Sequence, residues 1–204
     1  MEMVPNTTRS VKKLESSDLL LNVTYDVDGF VKLSSRETAY CSVFGAGALL
    51  LPVLFHVLQL GRWFLPMYLP LFALAFLVRP APAALTAMVI PWVSAFLTGM
   101  PPIYPPVAFW MSVELFVTVG LTSYLAKLRP ELRALPILLG TTVFGRFLYV
   151  ALVWFTALWM DLPAEFLAVL SLFSGWPGVV LICIVVPPVV NRLRVSSLSA
   201  DVGD

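Results

Sequence analysis

The chain has 204 residues, 59% of them hydrophobic and 12% charged, with a mean hydropathy of +0.90 and a formal net charge of +1. This composition excludes an ordinary soluble domain, in which about a quarter of residues are charged, and gives no reason to expect a nucleic-acid partner. It predicts an all-α membrane protein that crosses the bilayer several times.

Residues 1–36 read as a polar cytosolic arm of mixed charge, so no cleavable signal peptide is expected. Between Leu19 and Leu33 a β-prone run and the Asp28-Gly29 turn would allow a small hairpin. Asn6-Thr-Thr and Asn22-Val-Thr are glycosylation sequons that a cytosolic arm would leave unused.

Residues 37–192 carry six apolar segments, expected as transmembrane helices over 38–60, 64–78, 83–98, 107–126, 134–160 and 164–191. Residues 193–204 form a cytosolic tail. The second and third segments are short and hold Pro66, Pro70 and Pro91. Neighbouring helices must satisfy the carbonyls that proline frees, so both belong inside a compact bundle. Merger of the two into one kinked hairpin is the alternative.

Lysine and arginine set the orientation. With the N-terminus inside, Arg9, Lys12, Lys13, Lys32, Arg36, Arg79, Lys127, Arg129, Arg133, Arg192 and Arg194 are cytosolic, 11 of the 13 basic residues. The short loop Lys127–Arg133 weighs most, because the positive-inside rule holds best for short loops. Both termini are then cytosolic. Arg62, the Gly61–Trp63 and Asp161–Pro163 turns and the Thr98–Pro106 loop face outside, with Trp63, Trp110 and Trp159 near that interface.

The Thr98–Pro106 loop contains Pro101, Pro102, Pro105 and Pro106, which remove backbone donors and fix φ, so no helix runs through it. Gly99 permits the turn before them. Thr98, Met100 and Tyr104 are candidates to close over a small molecule, and a rigid connector is the equal alternative.

Charges inside spans are expensive and mark candidate sites. Glu114 lies about 12 Å into span four, and Arg146 lies near the middle of span five. A pair between them is possible but staggered on these boundaries. It is either a structural ion pair or a contact for a polar ligand, with Trp110 and Tyr149 as flanking aromatics. His56 and Gln59 share a face near the outer end of span one. They are candidate ligand contacts, or hydrogen-bonded bundle residues.

No metal site is expected from one histidine and two cysteines, Cys41 and Cys183, which read as small buried thiols. No cofactor is implied. Walker, Gly-x-Ser-x-Gly and HExxH motifs are missing, and Ser174-Gly175 has no base, so no enzyme is expected. In span one, Cys41/Gly45 and Ser42/Ala46 are small-xxx-small pairs. They serve packing within the bundle or docking of a partner.

Taken in order, His56–Gly61, Phe64-Leu-Pro-Met-Tyr-Leu-Pro70, Thr98-Gly-Met-Pro-Pro102, Met111-Ser-Val-Glu-Leu115, Gly145-Arg146 and the run Trp176–Pro187 resemble the substrate-binding S components of energy-coupling factor (ECF) vitamin transporters. The likeness runs from about residue 38 to 192. It implies a six-helix subunit in a prokaryotic plasma membrane that takes a vitamin-like micronutrient from outside. It also implies docking on a membrane T component carrying two cytosolic ATPases, through the Cys41–Ala48 stretch. The vitamin itself stays open. A stand-alone secondary transporter or channel is the alternative, and a membrane enzyme is disfavoured.

Overall fold

The computed structural model describes residues 33–57, 66–104, 106–159 and 176–201, with 56–57 and 194–201 described by backbone alone. The chain divides into Met1–Ser34 and Ser35–Asp204, and the second unit carries every element below. Among the described residues there is no strand. The helices are α1 (Ser35–Val57), α2 (Tyr68–Ala75), α3 (Pro80–Thr98), α4 (Val107–Leu128), α5 (Ala134–Trp159) and α6 (Trp176–Asp201). All but α2 are long and apolar enough to cross a membrane. The described limits of α1, α3, α4 and α5 fall within three residues of the expected spans. The arm hairpin, Gln59, Gly61–Trp63, Pro105, the Asp161–Pro163 turn and residues 164–175 of the sixth expected span lie outside the described residues.

The second expected span differs. Pro66 and Met67 form a turn, and α2 then runs for eight residues, about 12 Å of rise against roughly 30 Å of hydrocarbon. Apolarity reports removal from water and does not distinguish lipid from protein as the surroundings. Here the surroundings are protein, because Tyr68 and every residue from Pro70 to Ala75 are buried. A helix apolar on all sides belongs at the centre of a bundle. Pro70 is tolerated because it falls in the first turn, where no intrahelical partner is lost. The Ser123 hydroxyl donates to Val78 O at 2.8 Å, satisfying a carbonyl just past the end of α2.

Close contacts fix the helix directions. Arg79 is extended before Pro80, as a residue preceding proline should be, and Pro80 opens α3 at its first position. Glu37, in the first turn of α1, accepts from Arg79 Nε and Nη2, each at 2.9 Å, and from the Arg79 backbone N–H at 3.2 Å. The Cys41 thiol lies 4.0 Å from Pro82 O. A Cβ on Gly45 would touch Ile90 Cδ1 at 3.4 Å. These pairs advance together along both helices, so α1 and α3 run parallel. Helix α4 returns antiparallel to α3, with Gly120 against Ala84. Helix α5 runs antiparallel to α4, with Thr122 Oγ1 2.8 Å from Thr141 Oγ1 and Gly145 against Thr118.

The described surface inverts the soluble pattern. Val43, Leu50, Phe147, Phe155 and Ile184 are exposed, while Ser94, Ser112, Thr118, Thr122, Ser123, Thr141 and Thr142 are buried. Inside an apolar medium, hydroxyls must find local acceptors. Thr118 donates to Glu114 O and Thr142 to Leu138 O, one turn back on their own helices.

Gly145 marks a close approach of α4 and α5. A methyl group there would lie 2.7 Å from Thr118 Cγ2 and 3.1 Å from Glu114 Oε1. Gly145→Ala should therefore cost about 1–3 kcal/mol, read as a lowered midpoint of thermal unfolding in detergent. Thr118→Ser, which removes the clashing methyl and keeps the hydroxyl, should restore part of the loss. Gly140→Ala, where a Cβ meets nothing within 4 Å, should leave the midpoint no lower and raise it slightly, because alanine favours a helix interior over glycine.

Candidate functional site

Three helices converge on one polar cluster. Helix α2 supplies Tyr68 from its first position, α4 supplies Glu114, and α5 supplies Arg146 and Tyr149. Arg146 Nη2 donates to Glu114 Oε1 at 2.5 Å and to Tyr68 Oη at 3.1 Å, and Tyr68 Oη donates to Glu114 Oε2 at 2.6 Å. The Arg146 guanidinium also lies over two ring faces, 5.2 Å from the Tyr68 centroid and 5.5 Å from that of Tyr149. Glu114 is 1% exposed and Arg146 5%.

The expected stagger is bridged. Thr122 opposite Thr141 and Thr118 opposite Gly145 place Glu114 level with Tyr149. Arg146 is then three residues off, about 4.5 Å along the axis, which two long side chains span. Gly145, beside Arg146, lets the carboxylate approach the α5 backbone.

Trp110 stands one turn from Glu114 towards the start of α4, on the same face. Its ring packs edge-on against Phe109 with centroids 4.7 Å apart. The indole Nε1 is buried and has no hydrogen-bond partner among the described residues. A buried donor left unpaired is costly, so this nitrogen is a free valence beside the charged cluster.

The loop residues sit apart. Helix α3 stops at Gly99, whose φ of +73° is the left-handed conformation that glycine accepts most readily, and its N–H bonds Ala95 O at 2.9 Å. The Ser94 hydroxyl donates to Met100 O at 2.7 Å, and the Thr98 hydroxyl donates to Ser94 O at 2.8 Å while accepting the Met100 N–H at 3.3 Å. Thr98 therefore fastens its own loop. Met100 and Tyr104 are 59% and 80% exposed. Gln59 and the His56 side chain lie outside the described residues.

Of the expected contacts, the structure thus joins Glu114, Arg146 and Tyr149, adds Trp110 one turn away, and leaves Thr98, Met100 and Tyr104 at the rim. Sequence reasoning missed Tyr68. Its signal was a hydroxyl-bearing aromatic between two prolines, in a segment too short to span.

The small-residue pairs of α1 also separate. Cys41 and Gly45 face α3, whereas Ser42 and Ala46 are exposed beside Val43 and Leu50.

No family model, curated relative or solved structure matches the chain.

A buried ion pair is weak evidence of net stabilisation, but removing one partner strands the other charge. Glu114→Gln should cost about 3–5 kcal/mol of unfolding free energy, and Tyr68→Phe about 2 kcal/mol through a lost bond to a charged acceptor. The double variant Glu114→Leu with Arg146→Met should lose less than Glu114→Gln alone. Thermal or denaturant unfolding of the purified variants in one detergent checks all three.

Proposed function

We propose that the protein is the substrate-binding membrane subunit of an importer, of the ECF S-component kind, and that it takes up a small polar, vitamin-like molecule. The observation that carries this reading is the buried Tyr68–Glu114–Arg146 cluster with the unpaired Trp110 indole N–H one turn away. Ionisable groups at the centre of a membrane bundle mark ligand or ion pathways. A ligand acceptor on Trp110 Nε1 satisfies the one buried side-chain donor left unpaired among the described residues, and a polar or ionic group can exchange into the hydrogen bonds around Arg146. The proline loop, pinned by Ser94 and Thr98, holds Met100 and Tyr104 at the entrance.

On this reading the chain crosses the membrane six times. Because α1 and α3 run parallel, this reading counts the segment that carries α2 as the crossing between them. The starts of α1, α3 and α5 and the end of α4 then share one side with Arg36, Arg79, Lys127, Arg129 and Arg133, and continued alternation adds Arg192. On this reading that side is cytosolic by the positive-inside rule and carries both termini, and the resemblance to S components supports a prokaryotic plasma membrane as the setting. The exposed Ser42/Ala46 pair on α1 suits close approach of a T-component helix, and two ATPases bound to that component would supply the energy.

Trp110→Phe separates binding from folding. The variant loses a donor that has no partner among the described residues, so its unfolding midpoint should be no lower than the parent's, relief of the unpaired N–H offsetting the smaller ring. Ligand affinity should fall about tenfold for one lost hydrogen bond. Small molecules retained through mild-detergent purification, identified by mass spectrometry, provide the ligand for that titration. Unchanged affinity removes Trp110 from the site. Accumulation of substrate by the chain alone in proteoliposomes overturns the subunit reading in favour of a self-sufficient carrier.

A further inference from the structure

Helices α4 and α5 are joined at Thr122 and Thr141, short of their connection, residues 129–133. Between them lies a groove of about 290 Å³, lined by Leu121, Leu125, Leu132, Ile137 and Gly140 and reached at its rim by Arg129. Three features define what fits it. Its walls are almost wholly aliphatic. The one hydroxyl on its lining, that of Thr141, is already engaged with Ile137 O at 2.9 Å and with Thr122, so the interior offers no free donor. Gly140 contributes no side chain, and a Cβ built there meets nothing within 4 Å, so the groove is open at that point.

The rim has the opposite character. Arg129 and Arg133 are exposed in the connection. Glu131 is the acidic group between them, and its carboxylate lies 3.6 Å from Arg129 Nη1 with both side chains about two-thirds exposed. A contact so open to solvent holds Arg129 weakly. The connection keeps a surplus of positive charge at the end of two helices apolar enough to span a bilayer. An apolar slot capped by cations at the membrane surface complements one kind of molecule, an amphiphile with an aliphatic tail and an anionic head.

We infer that this groove is a binding site for an anionic phospholipid, with part of one acyl chain between α4 and α5 and the phosphate at Arg129 and Arg133. The inference rests on the membrane placement proposed above and is independent of the cargo or of the Trp110 site. The lipid fills the groove near the connection of the α4–α5 pair, the same pair that holds Glu114 to Arg146.

The test is a titration of the full-length protein in detergent with phosphatidylglycerol and with phosphatidylcholine of the same acyl chains, followed by native mass spectrometry. Phosphatidylglycerol should bind more tightly, and Arg129→Gln and Arg133→Gln should each reduce that preference about fivefold while leaving phosphatidylcholine unaffected. Gly140→Phe, filling the groove, should weaken both lipids, and millimolar inorganic phosphate should displace neither. Equal affinity of the parent protein for the two lipids overturns the proposal, as does full lipid binding by Gly140→Phe. Displacement of phosphatidylglycerol by phosphate alone reduces the site to an anion site and also overturns it. If Gly140→Phe does not fold, the exposed arginine substitutions decide. Loss of lipid preference in the arginine variants with intact cargo retention separates this site from the one at Trp110.

Discussion

A carboxylate and a guanidinium held away from water at the middle of an apolar bundle constrain everything around them. Neither charge is tolerable there alone, so the segments that carry them must meet in one register. That requirement accounts for Gly145, which leaves room for the carboxylate, and for Thr118, whose hydroxyl turns back on its own helix. It also accounts for α2. A short helix dropped into the centre brings a tyrosine hydroxyl to both charged groups, filling hydrogen-bonding capacity that two helices alone would leave open.

The same cluster gives the proposed site its chemistry. Arg146 is neutralised by Glu114 and covered by two aromatic faces, so an incoming anion does not meet a bare cation. On the proposed reading it would meet a pair whose hydrogen bonds can be redistributed, next to an indole donor that has no partner among the described residues. Binding on these terms favours a ligand with several polar atoms in a fixed arrangement over a simple ion, since each exchanged bond must be replaced. The pinned proline loop lies at the bundle end nearest Trp110.

Much of this was legible from residue order. Apolar length located α1, α3, α4 and α5, and the proline-rich run after Gly99 marked a break that the structure confirms. Glu114 and Arg146 stood out because charge is rare in such segments. What could not be read was depth. Span boundaries vary by a few residues, enough to turn a direct pair into an apparent stagger, and the true register is set by Gly145 and the threonines across the α4–α5 crossing. Tyr68 was hidden because an apolar run gives no sign of whether lipid or protein surrounds it. The fastening of the loop backbone at Met100 depended on hydroxyls of Ser94 and Thr98, whose bonding no sequence pattern announces.

Helix α1 is set differently from its neighbours. In the most apolar window of each helix, 11% of α1 is buried, against 50% of α3. Its grip on the bundle comes from Glu37 clasping the start of α3, from two small residues laid flat on that helix, and from contacts with α2. Among the described residues its outer flank is therefore open and apolar, with Val43, Leu50, Val53 and Leu54 exposed. A helix laid along that flank would touch none of the side chains of the charged centre, so on the proposed reading docking and cargo binding could be altered one without the other.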